Sequence, residues 1–452
     1  MTRTAIDPAR AAALELLRVV RVDDAYANLA LPGILHEHRL TGRDAAFATE
    51  LGYGTLRWQG WYDRILAACV TRDWDQVEPA VRDILRLGTH QLLAMRVPAH
   101  AAIDTACDLA RTTGNPGAAT GRTGFVNAVL RKVAAHDSDA WAAQLHCGGA
   151  DVDALAARLS HPAWIVRALR DALGPGAAAG ELELLLAADN APARPVLVAR
   201  GVSGEELRAL PGVEPGRWSP LAGVLTAGAP ESLAAVADGR VGVQDEGSQL
   251  IALALAAAPL EGPDTRWLDA CAGPGGKAAL LARLAADRGA ALTAVELHPH
   301  RARLVERALA GAGEVRVIVG DATTDPWGPE RFDRVLVDAP CTGLGALRRR
   351  PESRWRRTPA DLAALGPLQR SLLAAAVRAT RPGGVIGYAT CSPHLAETEL
   401  VVQDVRRATP GLELIDAPAL LAQVPDCAAG PFVQLWPHRH GTDAMFLALL
   451  RR

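Results

Sequence analysis

Residues 267–285 read WLDACAGPGGKAALLARLA. A short apolar run ends at Asp269, and Gly273, Pro274, Gly275 and Gly276 crowd together. Apolar residues then recur at three and four: strand, glycine-rich turn, helix. Gly273, Gly275 and Gly276 would let the backbone turn tightly and come close to a ligand, with the first N–H groups of the helix pointing at an anionic end. The loop matches neither the GxGxxG dinucleotide fingerprint nor the GxxxxGK[ST] phosphate loop. Alone, it could equally be a plain turn.

Its surroundings decide the fold. Strand candidates TRWLDA, ALTAVEL, EVRVIVG, DRVLVDAP and GVIGYAT alternate with helical stretches from residue 241 onward. That alternation predicts a parallel sheet with helices on both faces, and ligands then bind beyond the carboxyl ends of the strands. The second run ends in Glu296, placed to take two ribose hydroxyls. The third ends in GDAT, where Asp321 could accept from an adenine amino group. Each acid alone is more often a helix cap. The ordered set of glycine loop, Glu and Asp describes an adenosine pocket without a phosphate clamp.

The fourth and fifth runs end in cysteines, Cys341 in DAPCTG and Cys391 in ATCS. A buried cysteine is ordinarily a small hydrophobe, and Cys69, Cys107, Cys147 and Cys427 are read that way. Cys341 and Cys391 stand where a parallel sheet puts its active site, and a thiolate activated by nearby positive charge is a nucleophile.

Residues 1–140 read as all helix, with 16 Lys+Arg balancing 16 Asp+Glu. Residues 141–240 read as a small α+β insert, with WAAQLHCGGADVDALAARLSHPAWIVRALRDAL helical and RPVLVAR a strand. At 452 residues the chain is too long for one core, so two or three domains are expected. The net charge of -2 advertises no nucleic-acid partner, so any such partner needs a local basic patch. LRRRPESRWRR supplies six arginines and Trp355, placed directly after the Cys341 motif. It reads as a phosphate-contacting and stacking segment, with a solvated loop as the alternative. Only two lysines occur, Lys132 and Lys277. Seven scattered cysteines without a CxxC pair give neither a disulfide framework nor a zinc site. No run approaches the roughly 18 apolar residues of a membrane span, and the amphipathic N-terminus is unlike a signal peptide. A metal-free cytoplasmic monomer is the expectation.

The strings LDACAGPGGK, DAPCTGLGALRRRPESRW, YATCSPHLAETE and WPHRHGTDAMF together resemble the RsmB/Sun (Fmu) family of bacterial 16S rRNA cytosine-C5 methyltransferases. FVNAVLRKV, YGTLRWQG and LRLGTHQLL resemble that family's NusB-like helical domain, and VQDEGSQL its lead into the catalytic domain. The resemblance spans nearly the whole chain and is weakest across 141–240. It implies a NusB-like RNA-binding domain at 1–140, a small α+β subdomain at 141–240 and a Rossmann-like methyltransferase domain at 241–452. It further implies S-adenosyl-L-methionine as cofactor, RNA as partner and 5-methylcytosine in rRNA as product. Cys391 matches the nucleophile that adds to C6 of cytosine, and Cys341 the cysteine that assists elimination. Asp338 matches the residue holding the cytosine edge and borders the cofactor. Cys271, Ala272, Gly273, Pro274, Gly275, Gly276 and Lys277 would close over the methionine end, with Glu296 on ribose and Asp321 on adenine.

Four positions depart from the family's commoner residues. Gly273 and Ala278 stand where alanine and threonine are usual, Thr398 replaces the central asparagine of an acidic motif, and Ala444 replaces a glycine. Two rival readings remain: the same chemistry on tRNA or large-subunit rRNA, and a catalytically silent RNA-binding or antitermination factor. The presence of both cysteines and the whole cofactor loop weighs against the second. A dinucleotide oxidoreductase is disfavoured by the missing GxGxxG.

Overall fold

The computed structural model describes residues 6–329 and 331–452. The chain divides into two compact units, Met1–Ala191 with Leu347–Arg356, and Pro192–Ala346 with Arg357–Arg452.

The first unit is helical: α1 (Pro8–Val22), α2 (Ala27–Glu37), α3 (Gly42–Cys69), α4 (Pro79–Leu93), α5 (Ala99–Thr112), α6 (Ala119–Val133), α7 (Ser138–Gln144), α8 (Val152–Arg158), α9 (Ala163–Leu173) and α10 (Glu181–Asp189). The start of α1 shows why: Pro8 opens it, the Asp7 side chain caps the Arg10 N–H, and Ala9, Ala12, Ala13, Leu16, Leu17 and Val20 form one buried stripe. That stripe joins Leu51, Ile65, Ile84, Leu85 and Leu130 in a common core. Within it Arg86 grips Asp63 through two hydrogen bonds of 2.7 and 2.8 Å, and Tyr62 bonds His90 at 2.8 Å.

Residues Leu347–Arg356 form a strap belonging to this helical unit. Arg354 is fully buried, its guanidinium donating to the carbonyls of Arg57, Ser160 and Asp189 and to Asn190 Oδ1. Asp189 closes α10, so part of this cage is the negative end of a helix. Burial, only partly offset by the nearby Asp189, brings the Arg354 pKa down to about 10. Beside it the Trp355 indole packs where a Cβ on Gly60 would stand, so only glycine fits there. The buried carboxyl of Glu352 accepts from the Ala27 N–H at the start of α2. Arg356 donates to the carbonyls of Val20 and Ala25, and Arg350 and Arg356 lie over the Tyr26 ring. Arg354 therefore contacts neither solvent nor phosphate. The expected RNA-contacting stretch is, at its centre, a set of internal struts.

The second unit holds two sheets. Strands β1 (Val196–Ala199), β2 (Val213–Pro215), β3 (Ala222–Leu225) and β4 (Val241–Val243) make a small antiparallel sheet in the order β2-β3-β1-β4. The larger sheet contains β5 (Arg266–Asp269), β6 (Ala291–Glu296), β7 (Val315–Val319), β8 (Phe332–Asp338), β9 (Thr380–Thr390), β10 (Glu413–Ile415), β11 (Ala428–Ala429), β12 (Phe432–Gln434) and β13 (Phe446–Arg451). Its order is β11-β12-β13-β9-β8-β5-β6-β7, with β10 also on β13. The five strands β9-β8-β5-β6-β7 pair in parallel. Beyond β9 the pairing turns antiparallel, with β13 running against β9 from Phe446 opposite Thr390 to Arg451 opposite Val385. The sheet is thus mixed, not all-parallel.

Helices Glu246–Ala257 and Gly276–Ala286 cover one face, and Pro359–Ala379 and Glu399–Ala408 the other. In β8, Leu336 faces the first core while Val335 and Val337 face the second. Burial on both faces explains the unbroken apolar run, each residue contributing about 1.5–3 kcal/mol.

Candidate active site

The carboxyl ends of β5 to β9 present the candidate residues along one edge of the parallel sheet. After β5 the chain turns through Cys271–Lys277 into the helix Gly276–Ala286. Gly275 has φ of 110°, a left-handed value that favours glycine. A Cβ at Gly273 would run into the Glu296 carboxylate, so the missing side chain lets the loop lie against the end of β6. Arg301 ties the two together, donating to the Gly273 carbonyl at 2.7 Å and lying 3.6 Å from Glu296 Oε2.

Glu296 is buried, and one of its oxygens accepts from the His298 N–H at 2.9 Å. Asp321 is exposed after β7 and caps the backbone of Thr323 at 2.8 Å. Asp338, closing β8, accepts from Lys277 Nζ at 2.9 Å. Burial opposes the charge on Lys277, but Asp338 outweighs it and raises the ammonium pKa. Asp269 at the end of β5 was not singled out by sequence. It is fully buried, with Oδ2 unpartnered among the described residues. Burial, and then the neighbouring Asp338, push its pKa up to about 7. The same surroundings push Cys271 well above the usual thiol range, burial first and then Asp269 and Asp338, which leaves it a poor nucleophile.

The other two cysteines meet. Asp338 pairs with Ala389 in the β8–β9 ladder, so both chains leave the sheet together. Their sulfurs, Cys341 Sγ and Cys391 Sγ, lie 3.4 Å apart, each partly exposed. The environment treats them differently. Cys391 is held below the ordinary thiol value by the hydrogen bond from Cys341, with help from Lys277 against burial and Asp338. Cys341 is pushed well above it, by donating that bond, by burial, and by the charges of Cys391, Glu397 and Asp338. One thiol is biased to thiolate and the other to hold its proton.

The glycines after Cys341 serve close backbone contact. Gly345 donates its N–H to the Cys391 carbonyl at 2.8 Å and accepts from the Ala444 N–H at 2.9 Å, and a Cβ there would strike the Ala444 carbonyl. The VQDEGSQL stretch acts as a hub. The Glu246 carboxylate gathers the N–H groups of Arg217, Trp218 and Ser219, and Asp245 Oδ2 accepts from the Asp443 N–H at 3.0 Å.

The arrangement suits a cationic, adenosine-bearing ligand. Asp269, Glu296, Asp321 and Asp338 stand at the strand ends, the glycine loop leaves room, and among the described residues a buried carboxyl oxygen of Asp269 lacks a partner. Among the described residues no group of three or more His, Cys, Asp or Glu side chains is disposed to hold a metal, and no helix is long and apolar enough to cross a membrane.

Comparison with known proteins agrees in both units. Residues 254–451 match the family model described as 16S rRNA methyltransferase RsmB/F, and residues 7–135 match the NusB family. A Mycobacterium tuberculosis (strain H37Rv) protein named only as a methyltransferase is 52% identical over 100% of this chain and 98% of its own length. The ribosomal RNA small subunit methyltransferase B of Pseudomonas syringae pv. tomato (strain DC3000) is 32% identical over 98% of this chain and 96% of its own. The crystal structure of PH0851 shares the fold with a TM-score of 0.80 at 23% identity, covering 99% of this chain and 100% of that one. With a NusB-like helical region ahead of an S-adenosylmethionine-dependent methyltransferase domain, the chain belongs to the RsmB/F family.

Proposed function

We propose that the protein forms 5-methylcytosine in 16S rRNA by covalent catalysis. The observation that carries this reading is the thiol pair, Cys341 and Cys391, with sulfurs 3.4 Å apart beside Lys277 and Asp338. C5 of cytosine is too weak a nucleophile to be methylated directly. In the proposed cycle the Cys391 thiolate adds to C6, which makes C5 enamine-like, while Asp338 holds the cytosine edge and favours protonation at N3. S-adenosylmethionine supplies the electrophilic methyl group. Once Cys391 is bound to C6 as a thioether its charge no longer holds the proton on Cys341. Cys341 releases that proton to water, its thiolate takes the C5 proton, and the C6–S bond breaks so that Cys391 leaves as thiolate with the product.

Cys271 to Lys277 would enclose the methionine end of the cofactor, Glu296 the ribose and Asp321 the adenine, with Asp338 at the border between cofactor and base. One oxygen each of Glu296 and Asp321 accepts from a local backbone N–H, which leaves further lone pairs for hydroxyl and amino donors. The target base must be unpaired or flipped to reach a thiol in this recess. Functionally we assign residues 1–140 to RNA binding, 141–240 to a connecting subdomain and 241–452 to catalysis.

Bisulfite sequencing of total RNA from cells with and without the gene tests the reading. Loss of one protected cytosine in small-subunit rRNA is expected. A lost site in tRNA or large-subunit rRNA would keep the chemistry and move the target. Unchanged protection everywhere would favour a silent RNA-binding factor.

A further inference from the structure

Glu397 lies in the short turn after the Cys391 loop and is almost fully buried. Among the described residues its carboxylate meets only neutral donors. Oε1 accepts from the Thr342 N–H at 2.8 Å and from Gln369 Nε2 at 3.1 Å, and Oε2 accepts from the Thr342 hydroxyl. That hydroxyl lies 3.1 Å from Ser392 Oγ. Gln369 Nε2 also donates to the Pro340 carbonyl at 2.9 Å. Thr342, after Cys341, thus meets the carboxylate directly, while Pro340 before Cys341 is tied to it through Gln369 and Ser392 after Cys391 through the Thr342 hydroxyl. The Tyr388 hydroxyl, donating to the Glu397 carbonyl at 2.8 Å, fixes the backbone of the turn. A buried carboxylate with no counter-ion is costly, and apolar packing would hold a turn more cheaply.

We propose that Glu397 is a positioning residue for the two-cysteine reaction: it clamps the Cys341 and Cys391 loops in register and biases the proton of the pair toward Cys341. The idea rests on the reading of these thiols given above. Among the described residues, the charged groups facing the pair pull in different directions. Lys277 favours the Cys391 thiolate, while Asp338 and Asp443 oppose it. Glu397 and Asp338 disfavour charge on Cys341. Tyr388 and Cys271 are both pushed well above their usual values by burial, so they add no charge. Arg357 is committed to the Thr342 carbonyl at 3.1 Å. Glu397, bonded to the N–H of the residue after Cys341, thus sets its charge against the thiol that holds the proton before attack.

The first measurement needs no RNA. Iodoacetamide labelling of Cys341 and Cys391 in the full-length protein, quantified by peptide mass spectrometry from pH 6 to 10, gives each thiol its own profile. Glu397→Gln keeps hydrogen-bonding groups at the clamp and removes the charge. It is expected to lower the Cys341 midpoint by about one pH unit while moving Cys391 much less. Thr342→Val loosens the clamp and keeps the charge. It should leave the Cys341 midpoint in place yet slow formation of the protein–RNA adduct. The proposal fails if Glu397→Gln, melting like the parent, leaves the Cys341 profile unmoved or shifts both thiols equally. A Cys341-selective shift in a protein that makes no 5-methylcytosine would instead leave Glu397 in its role and sink the proposed function.

Discussion

At the scale of single residues, the chemistry turns on an asymmetry between two identical side chains. Cys391 draws its depressed pKa first from the Cys341 hydrogen bond and only secondarily from Lys277. Cys341→Ala should therefore do two things at once. With elimination blocked, the covalent protein–RNA adduct should accumulate, seen as a denaturation-resistant band, whereas Cys391→Ala should give none. Because the hydrogen bond is gone, the Cys391 pKa rises, and the pH profile of adduct formation should move alkaline by about one unit. A thiolate nucleophile works above its pKa, so the variant should lose most near neutrality. Adduct only in the Cys391 variant would exchange the two roles. Much of this site was legible in sequence, since strand-end residues of a parallel sheet share one edge wherever the intervening helices lie. Asp269 was not singled out, and Glu397 entered only as the first residue of the acidic motif supporting the Cys391 loop, without its partners. Their significance lies in burial and in partners far apart along the chain, such as Thr342 and Gln369, which spacing does not reveal.

At the scale of elements, runs buried on both faces announced themselves, and β5, β6, β7, β8 and β9 fall within or around the expected stretches. The antiparallel edge was less visible, because β10, β11 and β12 are two or three residues long and carry little pattern. At Arg354 and Arg356 the strap departs from its sequence pattern for a different reason. A row of arginines looks like a phosphate-binding surface, but the partners of Arg354 and Arg356 are largely main-chain carbonyls, which no side-chain pattern displays. Arg354→Ala should strand four acceptors in the interior and lower the unfolding free energy by about 3–5 kcal/mol, measured by denaturant titration. Arg354→Lys should recover only part, since one ammonium cannot span acceptors held by a planar fork. Neither change should alter the salt dependence of RNA binding, because a guanidinium without exposed surface neutralises no phosphate.

At the scale of the whole molecule, one compact unit is assembled from two separated stretches of chain. A protein comprising residues 1–191 alone lacks Arg354, Glu352 and the Trp355 indole that fills the space against Gly60. It should unfold at a lower denaturant concentration than the same stretch carrying residues 347–356 on a flexible linker. Equal midpoints would mean that the strap only rests on the helices and adds nothing to their stability. The strap also sets an order of events during synthesis. A ribosome that has released residue 191 must add about 165 more residues before the last piece of the helical unit emerges, roughly 10–30 s at bacterial elongation rates. Through that interval the α1–α2 turn and the carbonyl cage around Arg354 wait open, a substrate for chaperones, and the helical unit closes only after the Cys341 loop has been made.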